Sequence, residues 1–454
     1  MDSFAGKFDY LDEKGTVIQS GTCRLNIDKS EFRVIPEKGG PLALDLGDVD
    51  IFFSGDYELA LKLHTGRTIS LHHFAKAFED MCESLKNAYR SRLLQCLLLE
   101  DLEEIARFEG CVQLDSTDAP FAGPAEIRLY RSNVAILPER APGMHWRLSD
   151  IDGIEFDAES YRLELRSGSD RLIITRLAKR TDEFRERLRC AMDDVSERSA
   201  GILRDIFPFL SPDQFQSLAE IMKEGRSAPI SKMASIHPQV TPVFMKSAVL
   251  DSLRPYIDSL MERKAAGFDF YAGFKMIRPE GEAEAADAPA DGSGTGETGG
   301  PDPDAAGDSD EGIKEKDDRR KQALHWFFFP MTSKPGSAQP ADVIAWEAAS
   351  HAGRATYFFR VKEAEAGTGG DAAENTVERT VERLGRALVM INFRREPVYL
   401  PDDSLMSQAR YRHYAIAARR LPVLQELRAL YVGRAVHSAP EAWRSQVEAV
   451  LARV

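Results

Sequence analysis

The sequence predicts an α+β protein in which runs of antiparallel strands precede the helices that close them. Three observations carry that expectation: strand-like alternation in the N-terminal half, an internal duplication there, and apolar residues spaced by three and four after each run of strands. At 454 residues and 50.6 kDa the chain exceeds one compact core, so roughly two to four folded units are expected. A composition of 43% hydrophobic and 29% charged residues excludes wholesale disorder and the collagen and disulfide-scaffold classes. Cys23, Cys82, Cys96, Cys111 and Cys190 form no C-x-x-C pair and suit reduced thiols. No apolar run reaches the roughly 18 residues that cross a bilayer, and the start Met1-Asp2-Ser3-Phe4 lacks a basic-then-apolar leader, so a cytoplasmic address is expected.

The duplication fixes the first two units. Residues 21–66 slide onto 123–168 with a constant shift of 102 and no gap, giving ten identities in 46 positions, among them Gly21/Gly123, Pro36/Pro138, Leu46/Leu148, Asp48/Asp150, Asp50/Asp152 and Gly66/Gly168. Random pairing gives about three. Leu25/Ile127, Val34/Ile136 and Val49/Ile151 keep the apolar periodicity aligned. In the second copy Ile127 and Leu129, Val134 and Ile136, and Leu163 and Leu165 alternate with their neighbours as half-buried strands do. Thr65-Gly66 and Ser167-Gly168 separate strand runs as hairpin turns. A helix then follows in each copy, marked by Phe74, Phe78, Met81, Leu85 and Ala88, and by Phe184, Leu188, Met192 and Val195. Residues 8–100 and 108–200 are therefore expected to fold as superposable domains.

Strands first and one closing helix last resembles the pleckstrin-homology-like (PH-like) superfold, a bent antiparallel sheet of about seven strands capped by a C-terminal helix. The strings Leu44-Asp45-Leu46-Gly47-Asp48-Val49-Asp50-Ile51-Phe52 and Trp146-Arg147-Leu148-Ser149-Asp150-Ile151-Asp152-Gly153-Ile154 look like the mid-sheet segment of such domains. The resemblance covers residues 1–106 and 107–205 and is one of fold.

A helical connector is expected over 206–266. Ser211-Pro212-Asp213-Gln214 has the capping residue, the proline and the glutamine of a helix start, and Gly225 can end that helix. Thr241-Pro242 opens a second helix, bent at Pro255. Strand candidates rich in aromatics follow at Leu324-His325-Trp326-Phe327-Phe328-Phe329, Val343-Ile344-Ala345-Trp346 and Thr356-Tyr357-Phe358-Phe359-Arg360-Val361. With Phe268-Asp269-Phe270-Tyr271 before them and a helix over 376–390 after, they make 267–402 a candidate third, diverged PH-like unit. Its first loop holds an acidic insertion at 280–312, and a basic helical tail over 403–454 closes the chain.

The net charge of -14 is local. Residues 280–312 hold eleven carboxylates, no Lys or Arg and no large apolar side chain, so they are expected to be disordered and dispensable for folding. Residues 404–454 hold eight Arg against three Glu. The acidic tether is expected to mask this basic tail from polyanions.

No reaction motif is present, and no catalytic, cofactor-binding or metal-binding residue is assigned. Gly294-Thr295-Gly296-Glu297-Thr298-Gly299 matches a dinucleotide loop only in spelling, since no strand precedes it and carboxylates surround it. Asp48/Asp50 and Asp150/Asp152 read as strand-edge turns, and His64, His72 and His73 lack a zinc-like spacing. Candidate polyanion- or partner-binding residues are Arg394, Arg395, Arg410, Arg412, Arg419 and Arg420, interleaved with Tyr411 and Tyr414. The leading functional expectation is a non-enzymatic protein-interaction scaffold for other proteins or peptides. An alternative is a chaperone or binder of basic partners, because paired PH-like domains plus an acidic tract resemble the layout of FACT-type histone chaperones. The third is phosphoinositide or polyanion binding, nucleic acid included, although the first loop of the first copy offers only Lys14 and that of the second copy no base.

Overall fold

A computed structural model describes residues 2–29, 31–100, 102–115, 120–138, 143–168, 170–276, 323–334, 341–349, 355–362 and 371–454, so the acidic insertion at 280–312 lies outside the described residues. The chain divides into two compact units, residues 1–195 with 394–429, and residues 196–393 with 430–454.

The first unit carries the duplication. Its first sheet comprises β1 (Asp2–Leu11), β2 (Val17–Ile27), β3 (Glu31–Pro36), β4 (Leu42–Asp45), β5 (Val49–Gly55), β6 (Glu58–Leu63) and β7 (Thr68–His72), followed by helix α1 (Phe78–Cys96). Its second comprises β8 (Glu104–Asp115), β9 (Phe121–Tyr130), β10 (Asn133–Pro138), β11 (Met144–Arg147), β12 (Gly153–Asp157), β13 (Arg162–Ser167) and β14 (Asp170–Thr175), followed by α2 (Thr181–Ile206). The strand orders correspond: β4-β3-β2-β1-β7-β6-β5 and β11-β10-β9-β8-β14-β13-β12, antiparallel throughout. These are the tandem PH-like sheets, each closed by its C-terminal helix. The predicted turn glycines Gly66 and Gly168 take φ of +79° and +60°, a region that glycine enters without steric cost.

Alternation sets each core. Phe108, Ile127, Leu129, Leu163, Leu165, Leu172 and Ile174 face Phe184 and Leu188 of α2. β10 is buried on both faces, because the end of α1 covers its outer side: a Cβ on Gly143 would lie 3.1 to 3.3 Å from Leu97, Leu137 and Leu93. That is why Ala135 and Leu137 interrupt the apolar/polar alternation.

The second unit begins with helices α3 (Pro212–Ile221), α4 (Ile230–Ile236), α5 (Val240–Ala248) and α6 (Arg254–Arg263). Ser211 and Gln214 form the expected reciprocal capping box of α3. The second helix expected from Thr241 is two helices instead, with Pro255 in the first turn of α6, where a missing N–H costs nothing. The sheet comprises β15 (Ser227–Pro229), β16 (Tyr271–Met276), β17 (Ala323–Met331), β18 (Val343–Ala349) and β19 (Ala355–Arg360), with α7 (Asp371–Met390) after it. Phe244, Phe327, Phe329, Ala345 and Phe358 belong to the core on one face. Trp326 and Trp346 lie against Phe393 on the other, with ring centroids at 4.6 and 6.2 Å. A sheet covered on both faces explains strands that read as continuous apolar runs.

From Arg394 the chain returns to the first unit as α8 (Glu396–Tyr399), α9 (Asp402–Ser407), α10 (Arg412–Arg420) and α11 (Pro422–Leu430). It then completes the second unit with β20 (Tyr431–Val436) and α12 (Pro440–Leu451). The last stretch is thus not a wholly helical tail, since β20 is the outer strand of the order β15-β16-β17-β18-β19-β20. This sequential meander differs from the order of the first two sheets. Among the described residues no helix is long and apolar enough to cross a membrane.

Candidate functional site

Three places in the first unit hold chemistry that the fold itself does not require. The first is an arginine dock on the turn between β4 and β5. Asp45 caps the turn by accepting from the Gly47 N–H at 2.7 Å, and the Arg92 fork of α1 donates to both its oxygens at 2.9 and 2.8 Å. From α10, Arg412 pairs with Asp45 at 3.2 Å. Arg419 donates to Asp48 at 2.5 Å and to His64 Nε2 at 2.6 Å. Arg420 donates to the carbonyls of Gly47 and Val49, both at 2.6 Å, and pairs with Asp50 at 3.3 Å. Ile416 of the same helix is 1% exposed and lies so near Gly47 that a Cβ there would meet its Cδ1 at 2.8 Å. Burial pushes the neighbouring Cys96 thiol up to about 12, so it is inert.

The second copy arranges the matched turn differently. The position matched to Asp45 is Arg147, whose fork donates to Asp150 at 2.7 Å through both Nε and Nη2. Asp152 accepts from the Gly168 N–H at 2.9 Å. This turn pairs its own arginine with its own aspartate, while the other draws arginines from α1 and α10.

Of the six arginines singled out by sequence, the structure brings Arg412, Arg419 and Arg420 together at this turn. Arg394 and Arg395 open the returning segment, where the Arg395 carbonyl accepts from the Val398 N–H at 2.9 Å. Arg410 is exposed, its guanidinium 4.5 Å from the Tyr411 ring centre. Sequence reasoning missed Arg92 and Asp45, although a carboxylate in one copy against an arginine in the other at a matched position was visible.

The second place is a cleft of about 930 Å³ where the β5–β6 hairpin meets the junction of β7 and α1. The hairpin turns on Asp56 and Tyr57 at φ of +48° and +59°, the pair of left-handed residues that a two-residue primed turn demands. Tyr57 is 70% exposed and its ring centre lies 5.6 Å from that of Phe78. Phe74 is buried across β1, flat on Gly6, where a Cβ would come within 2.6 Å of the ring. His72 Nε2 faces Asp9 at 3.0 Å and its Nδ1 faces His73 at 2.5 Å, while Ser70 donates to Glu58 at 2.5 Å.

The third place is the outer edge of the second sheet. β12 pairs with β13 alone in the sheet order, and Ile154, Glu155 and Asp157 along it are exposed. Arg185 of α2 stands over the Phe156 ring at 3.8 Å, and Tyr161, 61% exposed, meets the same ring edge-on at 6.4 Å. Among the described residues no strand pairs with the outer edge of β12, and that edge lies beside apolar and aromatic side chains, which suits an extended peptide. Among the described residues no group of three or more His, Cys, Asp or Glu side chains is placed to hold a metal ion.

No protein-family model matches the chain, and no curated protein matches it. Among solved structures it is similar to one described as "Structure of the Spt16D Pob3N heterodimer", at 17% identity and a TM-score of 0.16, covering 37% of this chain and 83% of that one.

Proposed function

We propose that the chain is a non-enzymatic protein-interaction scaffold whose second PH-like sheet takes a partner peptide along the edge of β12. The observation that carries this reading is an outer strand with one neighbour, exposed at Ile154 and flanked by Phe156 and Tyr161. The first copy supports it, since at the matched edge the carbonyl of Val49 in β5 already accepts from Arg420 of another segment. Main-chain groups would supply affinity there and alternate side chains specificity.

Affinity capture with chemical crosslinking tests it, comparing the intact chain with an Ile154→Asp/Tyr161→Ala variant whose circular dichroism is unchanged. Partners depleted about tenfold or more from the variant, with crosslinks at 153–161, are the expected result. The same partners in the same amounts, crosslinked elsewhere, would sink the reading.

A further inference from the structure

We infer that the cleft at the hairpin end of the first sheet binds arginine side chains from a basic segment of a partner protein. Its walls carry four carboxylates, Asp9, Asp56, Glu58 and Glu79, against a single lysine, Lys76. Two of the four are engaged, Asp9 by His72 and Glu58 by Ser70. Asp56 and Glu79 are exposed, and neither has a hydrogen bond or ion pair among the described residues. An aromatic floor of Phe74 and Phe78, with Tyr57 over Phe78, lies among them. A flat guanidinium uses both features, stacking on the tyrosine ring while its fork meets the carboxylates.

The choice of arginine rests on charge complementarity, for which the same domain supplies an example. At the opposite end of β5, Asp45, Asp48 and Asp50 hold Arg412, Arg419 and Arg420. The cleft gathers the same carboxylate chemistry on its walls. Tyr57 takes the second position of the primed turn at φ of +59°, a place that favours glycine or asparagine. Phosphate-bearing ligands are disfavoured by the same carboxylates. This inference names a partner class for the scaffold reading but uses a different sheet, so the two fail separately.

The test is fluorescence anisotropy of a labelled peptide of alternating arginine and glycine against the full chain, with thermal melts as controls. Asp56→Asn/Glu79→Gln is expected to weaken binding about tenfold. Tyr57→Gly is expected to raise the melting temperature while weakening binding about fivefold, a combination that misfolding does not produce. Ile154→Asp leaves the affinity unchanged. The inference is overturned if the intact chain shows no saturable binding, or if both cleft variants bind within about twofold of it, which would assign the peptide to the acidic 280–312 stretch. It is equally overturned if spermine competes as well as the peptide, since a small polycation would then be the ligand, or if Ile154→Asp alone abolishes binding.

Discussion

His325 and His145 are imidazoles held neutral by burial. Burial pushes His325 down to about 4, and burial, with help from the Arg147 charge, does the same to His145. His325 Nε2 has no hydrogen-bond partner among the described residues, and the ring meets Phe244 edge-on at 5.5 Å. Because the folded value lies below the unfolded value of 6.5, the unfolded chain takes up the proton first, and stability falls as pH drops from about 6.5 to about 4. His325→Leu fills similar space without a buried polar nitrogen. Urea midpoints at pH 7 and pH 4.5 should therefore show the variant sparing about 2 to 3 kcal/mol of the acid loss seen in the intact chain, and equal losses would refute the assignment. Little of this was legible in sequence. His325 sits in an apolar run that announces a strand, but which face is dry depends on α5, whose distance along the chain carries no local signal.

Among the elements, α10 shows best what sequence does and does not contain. The Arg and Tyr pattern was visible, as were Asp48 and Asp50, yet nothing local says that the two sets meet, since ion pairing across a chain has no periodicity. The duplication was more legible and runs deeper than its aligned stretch: Gly6 lies under Phe74 as Gly110 lies near Leu177, and Ala75 and Ala178 share positive φ of 48° and 51°. Arg420 is 6% exposed on its side chain and donates to the Gly47 and Val49 carbonyls while pairing with Asp50. Arg420→Ala should cost about 2 to 4 kcal/mol, and Arg420→Lys should recover less than half of it, because a point charge cannot reproduce the fork. Hydrogen exchange reads this as lost protection in α10 with β8–β14 unchanged; protected α10 amides in both variants would show that Ile416 and its apolar neighbours hold the helix alone.

Across the molecule, neither unit is one continuous length of chain. Residues 394–429 belong to the first unit, while β20 and α12 belong to the second. In the second unit Glu347 is fully buried, accepting from Thr356 at 2.7 Å and facing His437 at 3.1 Å, and Trp443 donates to Thr356 at 3.2 Å. Ending the chain at residue 429 removes His437 and Trp443, bares β19 and strands a buried carboxylate. That loss is on the scale of the roughly 5 to 15 kcal/mol that stabilises a domain. Calorimetry of residues 1–429 should retain the transition of the first unit and lose that of the second; two intact transitions would show that β20 is ornamental. Sequence made the strands of the second unit legible through their aromatic runs. Its closure was not legible, because β20 pairs with a strand some seventy to eighty positions earlier, from Phe359 with Tyr431 to Ala355 with Val436, and Tyr431-Val432-Gly433-Arg434 is too short and mixed to declare itself.

The arginine dock also has a clock. Asp48 and Arg419 are 371 positions apart, and a ribosome adding roughly 5 to 20 residues per second needs roughly 20 to 75 s to cover that distance. Throughout that interval the nascent first sheet carries an acidic corner with Arg92 on Asp45 but without the three arginines of α10. Any basic surface near the ribosome competes for the corner until Arg412, Arg419 and Arg420 emerge to take it.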